Sequence, residues 1–244
     1  MSRFQVLPEA VPGNDTTLMP CAACDVRDMA ICSVLQGREV DRLAQIVSRI
    51  PLADGQSIFQ EGDEADFVYN ILEGAVRLFK LLPDGRRQIT GFLYSSDFLG
   101  LALKEHYAYS AEAVSGAVIC RFPRGKLERL LDEFPKLEKR LLNEASNELI
   151  AAQDQMLLLG RKTAAERLST FLDALARRQG VREEGGVIEL LMTRTDIADY
   201  LGLTIETVSR TFTKLRKSGV IDVPDAHTIT ITNLAGLQEM TEGD

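Results

Sequence analysis

Apolar residues in the stretch 142–159 recur at alternating spacings of three and four residues. Such spacings average 3.5 residues, the period that keeps one stripe of a helix facing a partner helix in a coiled coil. The intervening positions are mostly polar, as an exposed helix face requires. The pattern therefore predicts a long helix whose dimer seam consists of Leu142, Ala145, Leu149, Ala152, Met156 and Leu159. An amphipathic helix buried within one chain is the alternative interpretation.

The residue types along this seam predict a weak dimer. Truncation of a buried leucine to alanine typically loses roughly 2–5 kcal/mol of packing, so a seam that alternates leucine with alanine is marginal. A signal can shift the equilibrium between monomer and dimer when the dimer is only marginally stable. Four further apolar residues lie off the seam, and we expect them to pack on their own subunit: Leu141, Ile150, Leu157 and Leu158.

Short alternating apolar runs fill the region 52–122, separated by turns that contain glycine and aspartate. Regular short strands with such turns predict a β-sandwich or a β-roll. We expect strands at 57–59, 67–72, 75–79, 88–93 and 117–122, with turns at 53–55, 61–63, 73–74 and 83–85. Helical character returns at 125–131 and from residue 136 onward. The first 17 residues lack periodicity and predict a mobile tail.

The stretch that follows the seam predicts a helix-turn-helix. An amphipathic helix is expected at 162–178, a strand at 187–191 and a small β-hairpin wing at 219–231. Between them, Thr193 and Asp196 have the spacing of a capping box that opens a helix. Ala198 allows two helices to cross closely, Gly202 takes the tight turn, and Val208 fills the shared core. Thr204 is expected to cap the second helix, at 205–217.

That second helix presents side chains suited to DNA. Three exposed positions carry residue types that contact base edges, namely Glu206, Ser209 and Arg210, and three carry cations for phosphates, namely Lys214, Arg216 and Lys217. From 194 to 217 there are five basic residues against three acidic ones, a net charge of +2. A helix pair that serves only for packing is the alternative.

Composition narrows the possible functions. The chain has 244 residues, enough for two domains, with 45% hydrophobic and 26% charged residues. We find no signal peptide and no apolar run long enough for a bilayer, so a cytoplasmic protein is expected. The net charge of -8 argues against general nucleic-acid binding, so any DNA contact must be a local patch. With two histidines, and with neither a nucleophile–base pair nor a phosphate-binding glycine loop, we expect no enzyme.

Four cysteines remain to be explained. Cys21, Cys24 and Cys32 lie close together, whereas Cys120 is remote. Disulfides are disfavoured in the cytoplasm. Zinc sites commonly use two paired knuckles, whereas three clustered cysteines and a remote one suit a four-iron cluster, whose corners are separate irons. The local pattern leaves both open, and an ordinary buried strand cysteine is a further interpretation of Cys120.

In this order, a β-roll, a long dimer helix and a winged helix-turn-helix resemble the cyclic-AMP receptor/FNR (CRP/FNR) regulators. The segments 202–210, 88–92 and 157–168 are similar to the FNR branch, and the cysteine pattern resembles the FNR-type regulators of α-proteobacteria. The expected fold class is α+β, with an N-terminal β-roll like a cyclic-nucleotide-binding jelly roll. The expected parts are a tail and cysteine segment (1–35), the roll (36–134), the dimerisation helix (135–160) and the winged helix-turn-helix (161–244).

The resemblance implies that Cys21, Cys24, Cys32 and Cys120 ligate one oxygen-labile [4Fe–4S] cluster. With the cluster intact, a homodimer binds a palindrome of the type TTGAT-N4-ATCAA and regulates anaerobic or microaerobic genes, and oxygen destroys the cluster and lowers DNA binding. The alternative is a regulator without a cluster, or with zinc or thiol chemistry, that responds to another signal.

The resemblance also bears on partners. RNA polymerase is expected to contact the turn at Pro83, Asp84, Gly85 and Arg86. No cyclic nucleotide is expected, because the stretch 97–113 lacks an Arg-Ser pair for the phosphate. No membrane partner is expected. Some relatives carry an acidic residue on the seam, where this chain has Ala152, and Asp154 lies outside the seam.

Overall fold

The computed structural model describes residues 21–101 and 105–242, so the predicted mobile tail lies outside the described residues. The chain divides into two compact units. The first takes in the residues up to Lys80 together with Thr90–Ile150, and the second takes in Leu81–Ile89 and the residues from Ala151 onward. The predicted α+β class is confirmed. None of the described helices combines the length and the apolar character needed to cross a membrane.

The first unit is built on two four-stranded sheets, as expected of a β-roll. In the order of the strands across each sheet they are β1-β8-β3-β6 and β2-β7-β4-β5. The strands are β1 (Ser48–Leu52), β2 (Ser57–Phe59), β3 (Phe67–Glu73), β4 (Ala75–Leu81), β5 (Arg87–Tyr94), β6 (Phe98–Leu99), β7 (Ser110–Ala113) and β8 (Ala117–Pro123). The five predicted strands are present. The sequence missed β1, β6 and β7, because β1 contains a proline, β6 has two residues, and β7 consists of small and acidic residues.

Glycine shapes the turns of this roll. Gly74, between β3 and β4, has a φ of 82°, and a Cβ atom there would lie 2.5 Å from the carbonyl oxygen of Gly116. Only glycine tolerates both conditions. The predicted turn at 73–74 therefore joins its two strands directly.

Two apolar clusters support the first unit. One lies in the roll and includes Tyr69, Ile71, Val76, Leu99 and Ile119. The other joins one face of the roll to α1 (Arg38–Ala44), α2 (Arg124–Glu133) and the start of α3 (Pro135–Arg161), and its buried members are Ile31, Leu35, Val40, Leu43, Val68, Phe98, Phe122, Leu127, Leu130 and Leu137. Three of the cysteines, Cys21, Cys32 and Cys120, pack against this second cluster.

Helix α3 has 27 residues and includes the whole predicted seam. Of the four apolar residues expected to pack on their own subunit, Leu141 packs against the second cluster and Leu158 is buried. The expectation is wrong for Ile150 and Leu157, which are 56% and 58% exposed. Each follows a seam residue by one position, about 100° further around the helix, so it lies on an exposed face outside the seam. All residues from 146 to 154 are exposed, whichever way they face.

The second unit is a winged helix-turn-helix. It contains α4 (Ala164–Arg178), β9 (Val187–Glu189), α5 (Arg194–Leu201), α6 (Ile205–Lys217), β10 (Ile221–Asp222), β11 (Thr228–Ile231) and α7 (Leu234–Glu242). Helix α4 begins later than predicted because Thr163 caps it, in a capping box with Glu166. Strand β9 is shorter than predicted. The wing is confirmed, since β11 pairs antiparallel with both β10 and β9. Helix α7, which packs against α4, was not predicted.

Candidate functional site

All four cysteines line one cavity of the first unit. Cys21 begins a short 3₁₀ turn (Cys21–Ala23), Cys24 follows it, Cys32 lies in a second 3₁₀ turn (Ile31–Val34), and Cys120 lies in the middle of β8. The other lining residues are apolar apart from one amide: Val26, Ala30, Ile31, Leu43, Val47, Asn70, Leu72 and Phe122. The fold therefore brings the remote cysteine to the clustered ones, as the predicted site requires.

Two arginines stabilise the cysteine segment, 21–35, one from within it and one from α3. Arg27 donates from Nη2 to the carbonyl oxygen of Leu35 at 2.7 Å. Arg140 of α3 donates from Nη2 to the carbonyl oxygen of Met29 at 2.9 Å and also pairs with Glu144. Since Ile31 and Leu35 are buried in the same cluster as Leu137 of α3, the segment and the start of α3 are packed together.

Burial controls the protonation of the thiols. Burial, and then the neighbouring cysteines, raise the pKa of Cys32 to about 11 and that of Cys120 to about 12. Burial, and then Cys24, also raise the pKa of Cys21 above its ordinary value. These three thiols therefore keep their protons at neutral pH, and a metal that binds them must displace the protons.

The donor set suits an iron–sulfur group. Four cysteine thiolates are the usual ligands of a [4Fe–4S] cluster, although zinc accepts the same ligand type. The cavity wall also contains an unsatisfied polar atom, because Oδ1 of Asn70 is buried without a hydrogen-bond partner, at a typical cost of about 1–3 kcal/mol. In the positions that the described side chains take, no three or more His, Cys, Asp or Glu residues form a group that could hold a metal ion, so the four thiols are a suitable donor set and not a preformed metal site.

The helix-turn-helix of the second unit is built as the sequence predicted. Thr193 and Asp196 form the capping box of α5, and Thr204 caps α6 by accepting from the backbone N–H of Thr207. Gly202 has a φ of 61°, the left-handed conformation that ends α5. The contact face of α6 is buried at Val208, Thr211, Phe212 and Leu215. The six predicted DNA-contacting residues are all exposed: Glu206, Ser209, Arg210, Lys214, Arg216 and Lys217.

The sequence missed Arg194, the first residue of α5. Its guanidinium lies 3.3 Å from the centroid of the Phe212 ring, and its Nη1 atom is buried without a hydrogen-bond partner. Burial lowers the pKa of Arg194 to about 10. The contact joins two helices, so no spacing within either one indicates it.

A second arginine joins Leu81–Ile89 to α5 within the second unit. Arg87 donates from Nη2 to Asp196 at 2.7 Å and from Nε to Asp199 at 2.9 Å. Asp196 is 2% exposed and also accepts from the backbone N–H and the hydroxyl of Thr193. Gln88 donates to the carbonyl oxygen of Asp199 at 2.7 Å. The neighbouring turn, Pro83 to Arg86, is exposed.

The seam of α3 presents its large residues to solvent in the single chain. Leu142 is 66% and Met156 72% exposed, and Leu149 and Ala152 are also exposed, whereas Ala145 and Leu159 are half-buried. These seam residues form the apolar stripe of α3, and the exposed Ile150 and Leu157 lie outside it. The alternative of a helix buried within one chain is therefore wrong for the middle of α3.

Each of the two units matches a known protein domain. A model of the Crp-like helix-turn-helix domain matches residues 166–240, and a model of the cyclic nucleotide-binding domain matches residues 49–134. The transcriptional activatory protein AadR of Rhodopseudomonas palustris is 45% identical, over 83% of this chain and 85% of its own. The chain belongs to the CRP/FNR family of transcription regulators.

Other CRP/FNR regulators match it over much of their length. The transcriptional activator protein FnrL of Cereibacter sphaeroides is 37% identical over 94% of both chains, so that alignment includes the cysteine segment. The solved structure of FixK2 from Bradyrhizobium japonicum is 37% identical, with a TM-score of 0.75, over 80% of this chain and 97% of that one. CRP/FNR regulators bind DNA and act as dimers, and the helix-turn-helix is the DNA-binding element here.

Proposed function

We propose that this CRP/FNR regulator responds to oxygen, with Cys21, Cys24, Cys32 and Cys120 holding a [4Fe–4S] cluster. The observation that supports this most directly is the convergence of four thiols, from three chain segments, on one cavity. When bound, the cluster supplies a group that oxygen destroys. The alignment with FnrL is long enough to include the cysteine segment, so the proposal can be compared with that relative over the whole site.

The chain links these cysteines to α3 through its own contacts. Arg140 holds the backbone of Met29, and Leu137 packs in the cluster that contains Ile31 and Leu35. A change in the path of the cysteine segment therefore alters contacts of the first two turns of α3. Because the seam begins at Leu142, directly after those turns, the position of the helix in the dimer is affected.

The dimer forms through the apolar stripe of α3. Its large side chains supply the apolar area that the dimer buries, and Ala145 and Ala152 keep that buried area small. A signal can shift the equilibrium between monomer and dimer only by the difference in its binding free energy to the two states. The monomer and the dimer must therefore lie within a few kcal/mol of each other. A seam of marginal strength meets that condition.

The dimer binds a palindrome through two copies of α6. A two-fold dimer places its recognition helices about one DNA turn apart. Arg210 donates two hydrogen bonds to a guanine, Glu206 accepts from the cytosine or adenine amino group, and Ser209 contacts a thymine or a phosphate. Half-sites of the type TTGAT contain a G·C pair that suits this set. Lys214, Arg216 and Lys217 bind phosphates.

The exposed turn at Pro83, Asp84, Gly85 and Arg86 contacts RNA polymerase.

The test is anaerobic purification followed by iron and acid-labile sulfide analysis. We expect about four of each per chain, a brown protein, and loss of both the iron and the anaerobic DNA binding when any one of the four cysteines is replaced by alanine. Stoichiometric zinc without sulfide would refute the cluster and favour the zinc or thiol alternative. A colourless, metal-free protein that still binds the palindrome would favour a regulator without a cluster.

A further inference from the structure

One polar side chain in the cysteine cavity is incompletely hydrogen-bonded. Apart from the four cysteines, Asn70 is the one polar residue among the described residues that line this cavity. It is 3% exposed, and its Oδ1 atom has no hydrogen-bond partner. Its Nδ2 atom donates to the carbonyl oxygen of Ile71 at 3.1 Å. Because a primary amide has two donor hydrogens and one acceptor oxygen, much of its capacity is unused.

The register of the sheet places this amide beside the remote cysteine. Strand β3 pairs antiparallel with β8, and Asn70 lies directly opposite Cys120. Directly opposite residues project from the same face, with Cβ atoms about 4.5–5.5 Å apart. Leu72, two residues further along β3, lines the same cavity.

We propose that Asn70 donates an amide N–H hydrogen bond to the Cys120 thiolate and thereby helps to retain the bound cluster. The inference rests on the proposed function, because it requires an anionic sulfur in the cavity. Rotation of the amide about its last bond exchanges the oxygen and the nitrogen, and an anionic sulfur favours the orientation in which N–H faces it. Partners of metal ligands orient those ligands and tune the metal.

A truncation pair on one strand tests the hydrogen bond. Asn70→Ala and Leu72→Ala both remove a side chain from the wall of the same cavity, but only the first removes a donor. In full-length protein reconstituted with iron and sulfide without oxygen, we expect Asn70→Ala to release iron to a chelator about 10-fold faster than wild type or more. Leu72→Ala should stay close to wild type.

Two further readouts separate a hydrogen bond from a packing role. A donor to a thiolate stabilises the more negative, reduced state, so the reduction potential of the cluster should fall in Asn70→Ala and not in Leu72→Ala. In the cluster-free protein, Asn70→Leu replaces a poorly satisfied amide with an apolar group of similar size. Its urea midpoint should therefore equal or exceed that of wild type, whereas a merely structural asparagine would give a lower midpoint.

The outcomes are distinguishable. Wild-type rates of iron release and a wild-type potential in both Asn70→Ala and Asn70→Leu would overturn the inference. So would equal acceleration in Asn70→Ala and Leu72→Ala, since that indicates general loosening of the wall. If the wild-type protein itself takes up no iron and sulfide, the proposed function fails, and this inference fails with it.

Discussion

Glu206 and Arg210 lie one turn apart on the exposed face of α6. Hydrogen bonds, first with its own backbone N–H and then with the Thr204 side chain, lower the pKa of Glu206, and Arg210 lowers it further. The carboxylate is therefore ionised at neutral pH and can only accept hydrogen bonds. Arg210 can only donate. One turn of the helix thus carries a hydrogen-bond donor for one base of a pair and a hydrogen-bond acceptor for the other.

This complementarity gives a prediction at the residue scale. Arg210→Ala and Glu206→Ala should each lose roughly 1–3 kcal/mol of discrimination at the G·C pair of the half-site. Preference at the other positions should change little. The measurement is a binding series on half-sites altered at that pair alone.

Lys214→Ala is the control, because a phosphate contact carries no sequence information. It should weaken binding to all sequences alike and reduce the salt dependence. If both base-contact variants keep the wild-type preference at that pair, α6 does not contact the bases in this way.

Asp196 shows how one buried carboxylate holds two elements together. It caps α5 through Thr193 and accepts from Arg87, so it joins the segment Leu81–Ile89 to α5 within the second unit. Arg87→Met would remove this charge-assisted hydrogen bond from a carboxylate that is 2% exposed. We expect the free energy of unfolding of the second unit to fall by roughly 1–3 kcal/mol, measured by urea unfolding.

The adjacent arginine is a matched control. Arg86 pairs with Asp84 in an exposed turn, with 76% of its own side chain accessible. Exposed ion pairs contribute little to stability, so Arg86→Met should leave the unfolding midpoint near that of wild type. Equal losses in the two variants would show that the substitution, and not the buried pair, causes the effect.

At the element scale, α3 offers its own matched pair of alanines. Ala152 lies on the seam and Ala151 lies off it, and both are exposed in the single chain. Ala152→Leu should strengthen the dimer, provided that the helices separate slightly to accommodate the side chain, because it adds apolar area where the partner helix packs. Ala151→Leu should not. Sedimentation in air would show the difference, and no gain of dimer in Ala152→Leu would mean that the seam register is wrong.

The elements that the sequence predicted are those with strong periodicity or specific turn residues. Helix α3, the capping box of α5 and the glycine turns of the roll belong to this group. Strands β6 and β7 are too short to show a period, and α7 is a nine-residue helix that contains a glycine. The cysteine pattern suggested the site, but its completion by Asn70 depends on strand register. The ion pair between Arg87 and Asp196 was not predicted either, because the two residues are 109 positions apart in sequence.

At the scale of the whole molecule, the proposed contact with RNA polymerase can be separated from DNA binding. The turn at 83–86 is exposed, and Gly85 within it has a φ of 85°. Asp84→Ala should reduce transcription from an activated promoter while leaving affinity for the palindrome unchanged, because the turn lies outside α6. Transcription assays with purified polymerase, alongside binding assays, would measure both. Loss of both together would argue against a polymerase contact.

The nine exposed residues in the middle of α3 have a consequence for hydrogen exchange. A helical stretch with little tertiary packing depends largely on its own marginal propensity. In an isolated subunit the amides of 146–154 should therefore exchange rapidly, ahead of those in α4 or β3. Association covers the stripe and should slow them. Deuterium uptake by this one peptide would thus report subunit association directly, and in a cell the same stretch would be the place where a protease distinguishes a solitary chain from a paired one.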